Sequence, residues 1–230
     1  MKQNWVIMKT RNKNLAPLQF ITLENTEVSE IQQAEKVLKA GCKLIQLRIK
    51  NKPMEEIKSI AEKILKLTKQ YSAKLLINDY VNMASEINAD GVHLGKKDMS
   101  PAKAREILSP SKIIGGTANT INDILNLIKT DVDYIGLGPF KYTSTKKNLD
   151  TILGLDGYKR IVTELKAKKI TTPIFAIGGI SVNDVEGIFN TGITRFAISS
   201  AIAKSENIEL KLFEFKTKID KHHEKIKNSK

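Results

Sequence analysis

The sequence predicts a single-domain α/β protein, a (β/α)8 TIM barrel, and three observations carry that prediction. Short apolar runs alternate with longer amphipathic stretches, the pattern of a parallel sheet with crossover helices. Eight such units fit in about 200 residues, the count for a compact barrel. The glycine-rich turns come late, at Gly178–Gly179 and after Gly136, whereas a doubly wound sheet carries its glycine fingerprint after the first strand. A chain of 230 residues with 41% hydrophobic content can bury one substantial core.

The elements follow in order. Strands are expected at Phe20–Leu23, Leu44–Leu47, Leu75–Ile77, Gly91–Leu94, Ile113–Gly115, Tyr134–Leu137, Ile174–Ile177 and Thr194–Ile198. Helical stretches lie between them, among them Ser29–Ala40, Pro53–Tyr71, Pro101–Leu108, Ile121–Lys129, Leu155–Lys168 and Val182–Thr191. Ser29, Ser100, Thr120 and Ser181 are candidate N-caps, because a side-chain oxygen there can accept an unpaired first-turn N–H; Pro53 and Pro101 suit first-turn positions. Gly41 and Gly192 are candidate helix stops. Residues 1–17 form a polar, basic lead-in, 18–205 the barrel, and 206–230 a basic C-terminal helix or tail of the same domain, expected to be solvated and to fray.

Composition narrows the class. No apolar run approaches the roughly 20 residues of a membrane span, and MKQNWVIMKT lacks the apolar core of a signal peptide, so neither is expected. One cysteine, Cys42, permits no internal disulfide and fits a cytoplasmic protein; between Gly41 and an apolar strand it reads as a small packing residue. The formal charge of +13 would suit nucleic acid, but 6% aromatics without aromatic–basic interleaving offers little for base stacking. Phosphorylated small molecules are the better match for the charge.

Function collects at the C-terminal ends of barrel strands. On the second strand Gln46, Arg48 and Lys50 alternate and therefore share a side. An inward Arg followed by Lys is best satisfied by a bound polyanion, with an ion pair to a neighbouring Asp as the plain alternative. The third strand ends in Asn78–Asp79 and the fourth runs through His93 to Asp98. Strands lie about 5 Å apart, so Asp79 and Asp98 can share one hard cation such as Mg²⁺. After the sixth strand, Thr143, Thr145, Lys146 and Lys147 sit in one loop, where hydroxyls and ammonium groups suit an anion. Gly178–Gly179 before Ser181, with Ser199–Ser200 after the last strand, matches the phosphate site that barrels form after strands seven and eight. The residues thus describe two anion sites in one mouth, one with the charge for a pyrophosphate and one for a monophosphate. No covalent nucleophile group is visible.

In this order, QLRIK, LLINDYVNMA, ADGVHLGKKD, GPFKYTSTKKN, ILGLDGY, IFAIGGI and ISSAI resemble the thiamine-phosphate synthase family from Phe20 to Ala203. The resemblance implies that Gln46, Arg48, Lys50, Asn78 and Lys146 bind a pyrimidine diphosphate and that Asp79 and Asp98 hold Mg²⁺. It further implies that Thr143, Thr145, Gly179, Ser199 and Ser200 bind a thiazole phosphate. Thr117 stands where the family usually has Ser, keeping the hydroxyl; Arg48, Lys50, Lys146 and Thr117 are the expected catalytic set. Ile49 replaces the usual acid, with its side chain expected to point away. The implied reaction joins the two fragments and releases pyrophosphate. The implied partners are these small molecules, with no nucleic acid or membrane, and a homo-oligomer is left open. The rivals are the sister thiazole tautomerases, for which His93 would be the proton-transfer group, and a non-catalytic phosphate-sensing barrel.

Overall fold

In the computed structural model, which describes residues 15–143 and 151–228, eight parallel strands close a barrel in chain order. They are β1 (Leu18–Ile21), β2 (Leu44–Leu47), β3 (Lys74–Asn78), β4 (Gly91–Leu94), β5 (Ile113–Ala118), β6 (Tyr134–Leu137), β7 (Ile174–Ile177) and β8 (Arg195–Ile198). Closure comes where β1 pairs with β8, Leu18 opposite Phe196. Both faces of each strand are covered, which is why the strands read as continuous apolar runs. The outward parity, with Phe20, Ile45, Ile77, Val92, Ile135 and Phe196, packs under the helices. The inward parity forms a separate plug of Leu15, Ile21, Leu44, Leu76, Ile113, Tyr134, Phe175 and Ala197.

The surrounding helices are α1 (Glu30–Lys39), α2 (Met54–Gln70), α3 (Val81–Glu86), α4 (Pro101–Ile107), α5 (Ile121–Leu127), α6 (Gly154–Ala167), α7 (Val185–Thr191), α8 (Ser200–Ala203) and α9 (Ile208–Asn228). The expected caps act as such. Ser29, Ser100 and Thr120 accept the N–H of Gln32, Lys103 and Asp123, and Ser181 caps a short 3-10 turn ahead of α7, with Asp184 bonding back to it. Cys42 is buried and its thiol is pushed up to about 11 by that burial, consistent with a packing residue.

Three features depart from the expectation. β5 runs past the expected end at Gly115 to Ala118, because Gly115 and Gly116 are gaps for side chains. A Cβ on Gly115 would fall 2.2 Å from the Tyr134 ring, and one on Gly116 would fall 2.7 Å from Leu127. The lead-in is structural at its end: Leu15 is buried in the plug and the Pro17 carbonyl accepts the Phe196 N–H at 2.8 Å. The lysine-rich tail is an amphipathic helix whose Ile208, Leu212, Phe215 and Ile219 are buried against α1, α7 and α8. The spacing of 4, 3 and 4 is one helical face, flanked by half-buried Lys211 and Lys216, while Leu210 and Phe213 are exposed on the opposite side.

Candidate active site

The inward parity that is apolar at the bottom of the barrel becomes polar at the C-terminal ends of the strands. Register sets these residues side by side: Asn78 lies opposite His93, His93 opposite Gly115, Gly115 opposite Tyr134, and Thr117 opposite Gly136. Of these, Asn78, His93, Thr117 and Gly136 open on one cavity of about 430 Å³. Gln46, Arg48, Lys50, Asn78, Asp98, Thr117, Thr143, Gly179, Ser199 and Ser200 all line it. Thr145 and Lys146 lie outside the described residues. Asp79, at the end of β3, meets the cavity wall through an ion pair between its Oδ2 and Lys50 Nζ at 3.1 Å.

Each residue is held by its local backbone. Past the end of β2, the Arg48 N–H donates to Thr22 Oγ1 at 3.0 Å and the Lys50 N–H to Glu24 Oε2 at 2.8 Å, so the strand's alternation continues into the loop. Ile49, between them, is buried in the outer core, away from the cavity as expected. Asp79 has φ of +74°, a left-handed conformation that Asp tolerates at some strain, and its N–H donates to the His93 carbonyl at 2.9 Å. Asp98 accepts the Gly95 N–H on Oδ2 at 2.7 Å. Gly178 and Gly179 have φ of +93° and +70°, and a Cβ on Gly179 would fall 2.6 Å from the Tyr142 carbonyl oxygen. Only glycine permits that approach, which joins the loop after β7 to the loop after β6. An ion pair from Lys141 to Asp184 at 2.6 Å fastens the same two loops. Ser181 is spent on capping: its N–H and hydroxyl both donate to Asp184 Oδ2.

Electrostatics favour an anion. Among the described residues, Arg48, Lys50, Lys96 and Lys97 line the cavity against the single lining carboxylate of Asp98. Lys96 is held by Asp123 at 2.8 Å. Burial alone would raise the Asp123 carboxyl, but hydrogen bonds from Lys96 and from the Asn119 and Thr120 N–H groups outweigh it and hold the group below its ordinary value. Three buried polar atoms of the cavity wall have no hydrogen-bond partner among the described residues: Gln46 Nε2, Asn119 Oδ1 and Ser199 Oγ. A buried polar group without a partner costs about 1–3 kcal/mol, so three of them around one cavity mark positions a ligand would satisfy.

Sequence reasoning missed two parts of this wall. Lys96 and Lys97 were visible in GVHLGKKD but carried no assigned role. Asn119 gave no signal, because the contact that orients its amide, Nδ2 to the Gly138 carbonyl, joins residues just past the ends of neighbouring strands. His93 is buried, with Nδ1 2.9 Å from Tyr134 Oη and Nε2 3.0 Å from Thr117 Oγ1.

A family model described as thiamine monophosphate synthase matches residues 18–202. The chain belongs to that family. Among curated relatives, a thiamine-phosphate synthase of Phocaeicola vulgatus is 46% identical over 190 residues, covering 83% of this chain and 91% of the relative. One of Bacteroides thetaiotaomicron is 43% identical over 193 residues, covering 84% and 92%. Among solved structures, a thiamine phosphate pyrophosphorylase from Pyrococcus furiosus superposes with a TM-score of 0.80 at 30% identity, covering 91% of this chain and 98% of that one. The match spans the barrel from β1 to α8, and so takes in every described strand end that lines the cavity.

Proposed function

We propose that the cavity binds 4-amino-5-hydroxymethyl-2-methylpyrimidine diphosphate and 4-methyl-5-(2-phosphoethyl)thiazole, or its 2-carboxylated form, and joins them into thiamine monophosphate with release of pyrophosphate. The observation that carries this reading is the clustering of unpartnered Gln46, Asn119 and Ser199 atoms with Arg48 and Lys50 around one cavity in a thiamine-phosphate synthase family barrel. The diphosphate belongs with the cations at the β2 to β4 ends, Arg48 and Lys50 with Asn78, and Lys146, outside the described residues, is assigned to it by the family resemblance. The monophosphate belongs with Gly179, Ser199 and Ser200 at the β7 and β8 ends and with Thr143, and Thr145, outside the described residues, is assigned to it by the family resemblance.

The chemistry these groups serve is a substitution that runs through ionisation. The C–O bond to the diphosphate breaks, its electron pair leaves with pyrophosphate, and the cation is stabilised by the aminopyrimidine. The thiazole nitrogen lone pair then forms the C–N bond. Arg48, Lys50 and Lys146 stabilise the charge that develops on the leaving group, and the two phosphate sites hold the fragments in line. The Thr117 hydroxyl contributes a hydrogen bond between the two sites. No protein nucleophile is required.

A divalent cation fits the donor set. Asp79 and Asp98 follow adjacent strands, and among the described residues no group of three or more His, Cys, Asp or Glu side chains gathers into a complete metal cluster. Two carboxylates with the remaining positions left to water and phosphate oxygens is the arrangement Mg²⁺ favours. Asp79 and Asp98 would hold it, and when bound it supplies further charge neutralisation to the diphosphate.

The tautomerase reading would need His93 as a proton-transfer group. Both of its ring nitrogens already face hydroxyl partners, which supports a structural role for the ring. The enzyme's substrates are small and phosphorylated, and no helix among the described residues is long and apolar enough to cross a membrane. The one buried, unpaired cysteine supports a cytoplasmic location.

Single substitutions separate the two subsites. Ser199→Ala should raise KM for the thiazole phosphate several-fold with little change for the pyrimidine diphosphate. Gln46→Leu should do the reverse. Equal effects on both substrates would contradict the assignment of separate subsites.

A further inference from the structure

Four side chains on four strands form a chain of hydrogen bonds running from the barrel interior to the cavity. Gln19 Nε2 lies 3.2 Å from Tyr134 Oη, which lies 2.9 Å from His93 Nδ1; His93 Nε2 lies 3.0 Å from Thr117 Oγ1. Gln19, Tyr134 and His93 are buried, and only the last member, Thr117, together with the edge of His93, reaches the cavity. The sites of the two rings are built by glycine. On β5 a Cβ at Gly115 would overlap the Tyr134 ring at 2.2 Å, and on β6 one at Gly136 would press on His93 Cε1 at 3.2 Å. Phe175 stands edge-on to Tyr134, with ring centroids 5.1 Å apart. The rings are therefore fixed by backbone on one side and by packing on the other.

The bond directions follow from the donor inventory. The Gln19 amide N–H donates to Tyr134 Oη and the Gln46 amide faces the same oxygen, so the phenol's own hydrogen is directed to His93 Nδ1. Burial holds the phenol well above its ordinary range, so it stays an O–H donor. With Nδ1 accepting, the ring carries its hydrogen on Nε2 and donates it to Thr117 Oγ1. A hydroxyl that accepts from behind turns its own hydrogen forward.

We propose that His93 is a positioning residue: Gln19 and Tyr134 lock it as the Nε2–H tautomer, and this tautomer makes Thr117 donate its hydroxyl hydrogen into the cavity, to an acceptor on the pyrimidine diphosphate. The ligand half of this inference rests on the proposed function; the tautomer half rests on the geometry alone. The cavity wall needs such a device because a threonine hydroxyl is otherwise free to rotate and to present a lone pair instead. Thr117 then differs from the surrounding lysines in giving a directed hydrogen bond at one atom, which suits a step in which the leaving group and the ring must stay aligned.

The test has two arms. Ring ¹⁵N spectra of the ligand-free protein report the tautomer directly, and the three histidines, His93, His222 and His223, are few enough to assign by loss of one signal in His93→Gln. The Nε2–H pattern is expected in the wild type, and a mixture of tautomers in Tyr134→Phe; an Nδ1–H pattern in the wild type overturns the proposal even if the enzyme is fully active. In the kinetic arm, His93→Gln keeps an N–H that can reach Thr117 and should retain most of kcat. His93→Leu should lose about tenfold in kcat, the scale of one hydrogen bond, with KM for the thiazole phosphate unchanged. Equal losses in the two variants would overturn the positioning role. If His93→Leu does not fold, Tyr134→Phe gives the same comparison against wild type. A wild-type protein with the expected tautomer and no turnover would refute the proposed function and the ligand half, leaving the hydrogen-bond lock standing.

Discussion

At Gly179 a single hydrogen atom stands where any other residue would carry a carbon. Its φ of +70° and the Tyr142 carbonyl, 2.6 Å from where a Cβ would sit, leave no room for a methyl group. Gly179→Ala should therefore displace the loop after β6 and cut kcat/KM for the thiazole phosphate at least tenfold, while the thermal midpoint shifts by only a few degrees. Unchanged kinetics with a correctly folded barrel would remove Gly179 from the phosphate site. Residues whose role follows from short-range alternation were legible in the sequence: Gln46, Arg48 and Lys50 share a side because the strand's period of two continues past its end. Asn119 was illegible because its amide is turned by Gly138, 19 positions away and just past the end of the next strand. His93 could be read as a satisfied buried group, but its partner Tyr134 is 41 positions distant and is joined to it only by the barrel's register.

At the scale of elements, α9 closes the outer layer. Phe215 is wholly buried at the centre of its apolar face, so Phe215→Ala should cost about 3–5 kcal/mol, read as a lower urea midpoint with activity kept below the transition. A loss under about 1 kcal/mol would mean that the helix is a dispensable cover. The tail's lysines, dense from Lys211 onward, obscured this stripe when it was read as a charged run, whereas the strands and caps of the barrel stood out because turn residues bound each of them. The Lys141–Asp184 pair joins two loops in a pH-dependent way. Burial alone would raise the Asp184 carboxyl, but bonds from Lys141 and from Ser181 outweigh it and hold the group below its ordinary value of 3.8. A carboxyl lowered in the folded state adds stability above its unfolded value, and that stability is lost as pH falls through the folded value. Thermal midpoints measured from about pH 6 down to about pH 2 should fall less steeply in Asp184→Asn than in the wild type below about pH 4. Parallel acid limbs would show that the pair contributes nothing to loop stability.

For the whole molecule, the closed barrel gathers groups from all eight strand ends into one mouth whose described lining is mostly basic among its charged groups, and the formal charge of +13 is consistent with the proposed phosphorylated substrates. The architecture was legible because eight apolar runs, each bounded by turn residues, admit few other topologies. The cavity's unpartnered atoms were not, since they depend on which polar groups the finished fold leaves without a mate. Purified protein incubated with the pyrimidine diphosphate, the thiazole phosphate and Mg²⁺ tests the central claim most directly, with pyrophosphate and thiamine monophosphate both measured. The two products should appear in equal amounts, and excess chelator should abolish both until Mg²⁺ is restored. Absence of pyrophosphate from a folded protein with both substrates and Mg²⁺ present would contradict the proposed activity, and undiminished turnover in chelator would remove Asp79 and Asp98 from metal binding.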